Sequence, residues 1–154
     1  MKIEVPLTVR DMTFDDLPAC TWSGSATHLK AVGVALDRAK VGVADYLVVG
    51  EEAVAVDYDV SPGSGTLWQL AVHPTLQSCG IGTILVRALE ERIAARGMSR
   101  AELGVEHDNP RAKALYERLG YVAFTRRAEA WDAEAPNGEI IRYETVCDIL
   151  FKEL

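Results

Sequence analysis

Gln77-Ser78-Cys79-Gly80-Ile81-Gly82-Thr83 stands where a β-prone stretch gives way to an amphipathic helix. Upstream, Thr66-Leu67-Trp68-Gln69-Leu70-Ala71-Val72 has the make-up of a strand, and His73-Pro74 ends it because proline brings no N–H to a ladder. Downstream, Ile81, Ile84, Leu85, Ala88, Leu89 and Ile93 recur at helical spacing. The first turn of such a helix has N–H groups without intrahelical acceptors and a partial positive charge. Gly80 and Gly82 carry no side chain to hold ligand oxygens away from it. The arrangement predicts a socket for a phosphate.

Three phosphate-binding readings compete for this loop. A Walker loop needs Gly-Lys-Ser/Thr at the helix entry, and Gly82-Thr83 has no lysine. A dinucleotide fingerprint needs a third small residue where Leu85 stands and normally opens its domain, whereas this loop lies mid-chain. Glu102 and Glu106 fall near the distance of its ribose-binding acid, so that reading ranks second. The third reading rests on a second motif, Leu103-Gly104-Val105-Glu106-His107-Asp108-Asn109-Pro110 followed by Arg111-Ala112-Lys113-Ala114-Leu115-Tyr116-Glu117-Arg118-Leu119-Gly120-Tyr121. Asn109 suits an N-cap, Pro110 the first helical position and Gly120 the C-cap, giving strand, short helix, strand. Ala112, Leu115, Tyr116 and Leu119 share one face, which by pattern alone makes Tyr116 a core aromatic.

In this order and separation the two motifs resemble the GNAT superfamily of acyl-CoA-dependent N-acyltransferases. Gln77-x-x-Gly80-x-Gly82 is similar to its pyrophosphate loop, and Asn109 to Tyr121 to its Asn…Ala…Leu-Tyr…Leu-Gly-Tyr/Phe segment; the likeness covers residues 45 to 125 well. It implies a mixed, mostly antiparallel sheet whose central parallel strands splay apart, with helices on both faces. It also implies transfer of an acetyl group from acetyl-CoA to a primary amine by direct attack. By the same resemblance Gln77, Ser78, Cys79, Gly80, Ile81, Gly82 and Thr83 hold the CoA pyrophosphate. The backbone of Leu70, Ala71 and Val72 pairs with pantetheine and thioester, Asn109 bonds the pantetheine, and Tyr116 protonates the leaving thiolate.

The proton acceptor is where the chain departs from that pattern. Several GNAT enzymes carry a glutamate on the central strand where this sequence has Trp68-Gln69, and others carry one where Gly104 sits. Glu106 and His107 are the nearest titratable candidates; the competing reading is a solvated strand end. Cys79 stands where many relatives have a basic residue, so backbone N–H groups and Gln77 carry more of the anion binding. The missing acid keeps an alternative open, a catalytically degenerate domain that binds acetyl-CoA as a sensor or scaffold.

Composition agrees. A chain of 154 residues, 49% hydrophobic, can bury one sizeable core, and it reads as a single α/β domain over 1–154. With no signal peptide and no membrane-length apolar run, a cytoplasmic location is expected. Cys20, Cys79 and Cys147 show no Cys-x-x-Cys spacing, which favours a reduced compartment and no metal site. The net charge of −7 argues against nucleic acid and favours an amine-bearing small molecule or peptide as partner. A homodimer is compatible with the composition.

Along the chain, Thr8 to Arg10 ends a first strand, and Asp11 or Thr13 caps a short helix before Pro18. Leu29 to Ala39 reads as a helix. Tyr46–Val49 and Val54–Val60 read as a hairpin with Asp57 and Asp59 turned to solvent or the acceptor mouth. Phe124–Trp131 and Ile141–Phe151 form a long hairpin about Pro136-Asn137-Gly138. Trp22, Trp68 and Trp131 belong either to the core or to the acceptor site.

Overall fold

Runs of β-branched and aromatic residues on either side of Gly50-Glu51 pair as antiparallel strands β2 (Ala44–Val49) and β3 (Glu52–Asp57), in register from Ala44↔Asp57 to Val49↔Glu52. In the computed structural model, which describes residues 7–71 and 80–154, these join a seven-stranded sheet. The other strands are β1 (Arg10–Asp11), β4 (Ser64–Ala71), β5 (Arg100–Glu106), β6 (Val122–Glu134) and β7 (Ile140–Glu153). Their spatial order is β1-β2-β3-β4-β5-β7-β6, and only β4 and β5 run parallel.

Strand alternation sends neighbouring side chains to opposite faces, and helices cover both. Leu47, Val49, Val54, Val56, Leu67, Leu103 and Val105 pack under α2 (Ile81–Ala95) and α3 (Pro110–Arg118), where Leu85, Leu89 and Ile93 are wholly enclosed. Tyr46, Val48, Ala53 and Ala55 point the other way, under α1 (Ala26–Lys40) and a 3-10 helix over Phe14–Ser23. Among the described residues no helix is long and apolar enough to cross a membrane.

One glycine sets the distance between α2 and the sheet. A Cβ on Gly65 would lie 2.6 Å from Ile93 Cγ1 and 2.9 Å from Val56 Cγ2. Gly65→Ala should therefore lift the helix and cost about 1–3 kcal/mol, the usual range for overpacking, read as a lower urea midpoint. An unchanged midpoint would show that α2 shifts freely.

Several boundaries differ from expectation, each for a local reason. The first helix does not stop at Pro18 but runs through it as a 3-10 helix, begun by a reciprocal cap between Thr13 and Asp16. Helix α1 starts three residues before Leu29, because Ser25 Oγ accepts from the His28 N–H at 3.2 Å. Strand β3 ends at Asp57 rather than Val60, and Asp57 is buried instead of solvated. Arg38 of α1 reaches it with Nε at 2.6 Å and Nη2 at 3.1 Å. Burial would raise this carboxyl, but the guanidinium and the Asp59 N–H outweigh burial and hold it below the usual carboxylate range.

Candidate functional site

The parallel pair is registered only from Ser64↔Arg100 to Leu67↔Leu103, although β4 continues to Ala71 and β5 to Glu106. Past Leu67 the two strands part. Both present their C-terminal ends to this gap, the place in an α/β sheet where ligands bind. Helices α2 and α3 each begin beyond one of the parting strands, so both N-termini lie on the same side of the sheet as the opening.

Gly80 is the N-cap of α2 in the left-handed conformation, φ +84°, with no side-chain cap bond, and its carbonyl accepts from Ile84 N–H at 3.1 Å. By helix geometry the N–H groups of Ile81, Gly82 and Thr83 have no acceptor inside the helix, which is the donor set a pyrophosphate needs. Val72, Gln77, Ser78 and Cys79 lie outside the described residues. Of the other thiols, Cys20 and Cys147 are buried, and burial raises both above the ordinary thiol range.

At the start of α3, Asn109 Oδ1 accepts from Ala112 N–H at 3.2 Å, the predicted cap, a bond that does not use its amide nitrogen. Tyr116 lies one face inward, partly buried against the larger core. Its ring meets Tyr121 edge-on with centroids 6.1 Å apart, and Tyr121 is itself fixed by donating to Glu90 at 3.0 Å. Burial pushes the Tyr116 phenol up to about 12, so it keeps its proton throughout the physiological range.

Glu106 and His107 end β5 in different ways. Leu103 and Val105 enter the α2 core, so Glu106 falls on the opposite face, where its carboxylate accepts from the Tyr143 hydroxyl at 3.1 Å. Tyr143 in turn packs against Trp131, ring centroids 5.1 Å apart. His107 is exposed, with Nδ1 turned onto the Val146 carbonyl at 3.0 Å and only Nε2 facing outward. Trp68 and Trp131, at 41% and 42% exposure, are surface aromatics and not core. Among the described residues no cluster of His, Cys, Asp and Glu could hold a metal ion.

The feature that sequence reasoning missed lies in β4. Ala55 pairs with Trp68 but Ala53 with Ala71, so two residues of β4, Gln69 and Leu70, oppose one of β3. This is a β-bulge. Gln69 there is the only non-glycine with positive φ among the described residues, +56°, a conformation that costs roughly 1–2 kcal/mol. Its Oε1 accepts from the Tyr46 hydroxyl at 3.0 Å. Tyr46 is buried on the α1 face, and burial holds its phenol well above the ordinary range, so it keeps the proton it donates to Gln69. A small cavity beside it, between the 3-10 helix and α1, is lined by Cys20, His28 and Glu51 as well as Tyr46. Burial lowers the His28 pKa and favours its neutral form.

Residues 9–121 match the acetyltransferase (GNAT) family, and the chain belongs to that family. Solved structures agree on the fold. The ribosomal-protein-S18-alanine N-acetyltransferase from Escherichia coli is 23% identical over 96% of this chain and 94% of its own, with a TM-score of 0.70. The spermidine N-acetyltransferase from Vibrio cholerae, crystallised with CoA and spermine, is 18% identical over 96% and 95%, TM-score 0.70. The PaiA N-acetyltransferase from Thermoplasma acidophilum, in complex with coenzyme A, is 12% identical over 97% and 100%, TM-score 0.70.

Proposed function

We propose that the protein is an N-acetyltransferase that moves the acetyl group of acetyl-CoA to a primary amine by direct attack. The observation that carries this reading is the parting of β4 from β5 beside an uncapped helix start at Gly80. In this reading the N–H groups of Ile81, Gly82 and Thr83 hold the pyrophosphate, together with Gln77, Ser78 and Cys79. The backbone of Leu70, Ala71 and Val72 and the Asn109 amide hold the pantetheine, and acetyl-CoA supplies the acyl group and its thiol leaving group.

An alkylamine has a pKa near ~10.4 and arrives protonated, so attack needs a proton acceptor. Glu106 fills this role through water, being the carboxylate at the end of β5 on the face away from α2; His107 Nε2 is the second choice. Backbone N–H of Val72 stabilises the tetrahedral oxyanion, an interaction whose loss costs about 3–4 kcal/mol in enzymes where it has been measured. Tyr116 donates to the departing thiolate.

Acetyl-CoA should raise the melting temperature, by about 2.7 kcal/mol of added stability at a hundredfold excess over Kd, whereas NAD and ATP should not. Equal shifts with NAD would sink the assignment. Thiol release over a panel of polyamines, amino acids, aminoglycosides and peptide N-termini then tests turnover. One observation favours a second reading, binding without catalysis: Gln69 is held by Tyr46 and Gly104 has no side chain, so neither offers a base. Tight acetyl-CoA binding with no thiol release from any amine would decide for it.

A further inference from the structure

We propose that Tyr46 is a positioning residue which, through Gln69, fixes the register in which Leu70 and the residues after it meet acetyl-CoA; this rests on the cofactor site proposed above. A ladder without the bulge would pair Ala53 with Leu70 instead of Ala71. A slip of one residue turns every following side chain to the other face and exchanges the backbone groups that look into the gap. Leu70 now packs on the α2 core while Gln69 reaches Tyr46 on the α1 face. Both placements require the extra residue.

The bulge begins two residues beyond Leu67, the last residue of β4 that β5 still holds. From there β3 is the strand that still pairs with the described part of β4, and the strained Gln69 is kept at φ +56° by a side-chain bond. If Gln69 relaxed, the buried Tyr46 hydroxyl would lose its acceptor, so tyrosine and bulge hold each other in place. Tyr46 lies on β2, two strands from the gap, and its hydroxyl bonds Gln69, which is not among the residues assigned to the cofactor. It acts by position.

The test compares Tyr46→Phe, Gln69→Gly and the double variant. Tyr46→Phe keeps the ring packing and removes the donor. Acetyl-CoA Kd, measured by calorimetry, should rise about tenfold and kcat should fall about as much, while the melting temperature without ligand moves little. Glycine adopts φ +56° without help, so Gln69→Gly, alone or with Tyr46→Phe, should bind within about threefold of the wild type. A merely structural tyrosine would not be rescued by a second substitution at Gln69. In the ligand-free protein, amide exchange in Tyr46→Phe should quicken about tenfold at 53–55 and 69–71 and stay unchanged in α2 and β7. Wild-type affinity in Tyr46→Phe, or a double variant as weak as the single one, overturns the proposal. A wild type that ignores acetyl-CoA sinks the proposed function instead. Amide exchange still judges the register: unchanged rates at 69–71 refute it, and faster rates confined there uphold it.

Discussion

Tyr116→Phe should lower turnover by roughly a hundredfold or more while leaving folding and acetyl-CoA affinity intact. The phenyl ring keeps the edge contact with Tyr121 and the packing against the core, so only the hydroxyl is lost. With its phenol near 12, Tyr116 stays protonated but is a weak acid beside an alkyl thiol of about 8.5. Full transfer to the thiolate runs uphill by roughly three to four pK units. The contribution proposed for it is thus a hydrogen bond that strengthens as charge develops on sulfur. The pH profile checks this: the rate should climb with pH as the amine deprotonates, with no falling limb from Tyr116 below about pH 11. Unchanged turnover in Tyr116→Phe would make Tyr116 a core aromatic and nothing more.

Gly82→Val separates cofactor binding from stability with opposite expected signs. Gly82 is the second residue of α2, where valine is the better helix former, so the free protein should melt no lower than wild type. The branched side chain would nevertheless stand over the first-turn N–H groups proposed to receive the pyrophosphate, and acetyl-CoA affinity should fall at least a hundredfold by calorimetry. Retained affinity would place the pyrophosphate elsewhere. A lower melting temperature would mean that Gly82 is needed by the helix itself.

Features written in local chemistry were legible from the chain. Asn109-Pro110 begins α3 as predicted, Gly80 begins α2, and the turn about Pro136-Asn137-Gly138 joins β6 to β7. The apolar pattern starts α1 late because its first turn, Ala26-Thr27-His28, has no apolar rhythm and declares itself only through the Ser25 cap. The burial of Asp57 depends on Arg38, 19 residues away on a different element, and no pattern within either element announces that pair. The bulge was hidden for a further reason. Glutamine is not a residue that marks left-handed backbone, and an unbroken strand would put Leu67 and Leu70 on opposite faces, each of which lies under helices, so the apolar pattern gives no sign that an extra residue brings them to one face. Its only support in the sequence is a tyrosine on a strand that is not its neighbour.

The order β5-β7-β6 carries a consequence for how the cleft is built. β6 touches the rest of the sheet only through β7, so it cannot be laid down in the order in which it occurs along the chain. Loop closure favours formation of the ribbon, Val122–Glu134 with Ile140–Glu153 about its short local turn, ahead of the longer-range pairing of β7 with β5. Without β7, the β5 side of the gap has one partner at its base and none along its outer edge. The wall that bears Glu106 is then finished from outside, by the segment whose Tyr143 hydroxyl holds that carboxylate. The same docking that completes the sheet also sets the group proposed to take the proton.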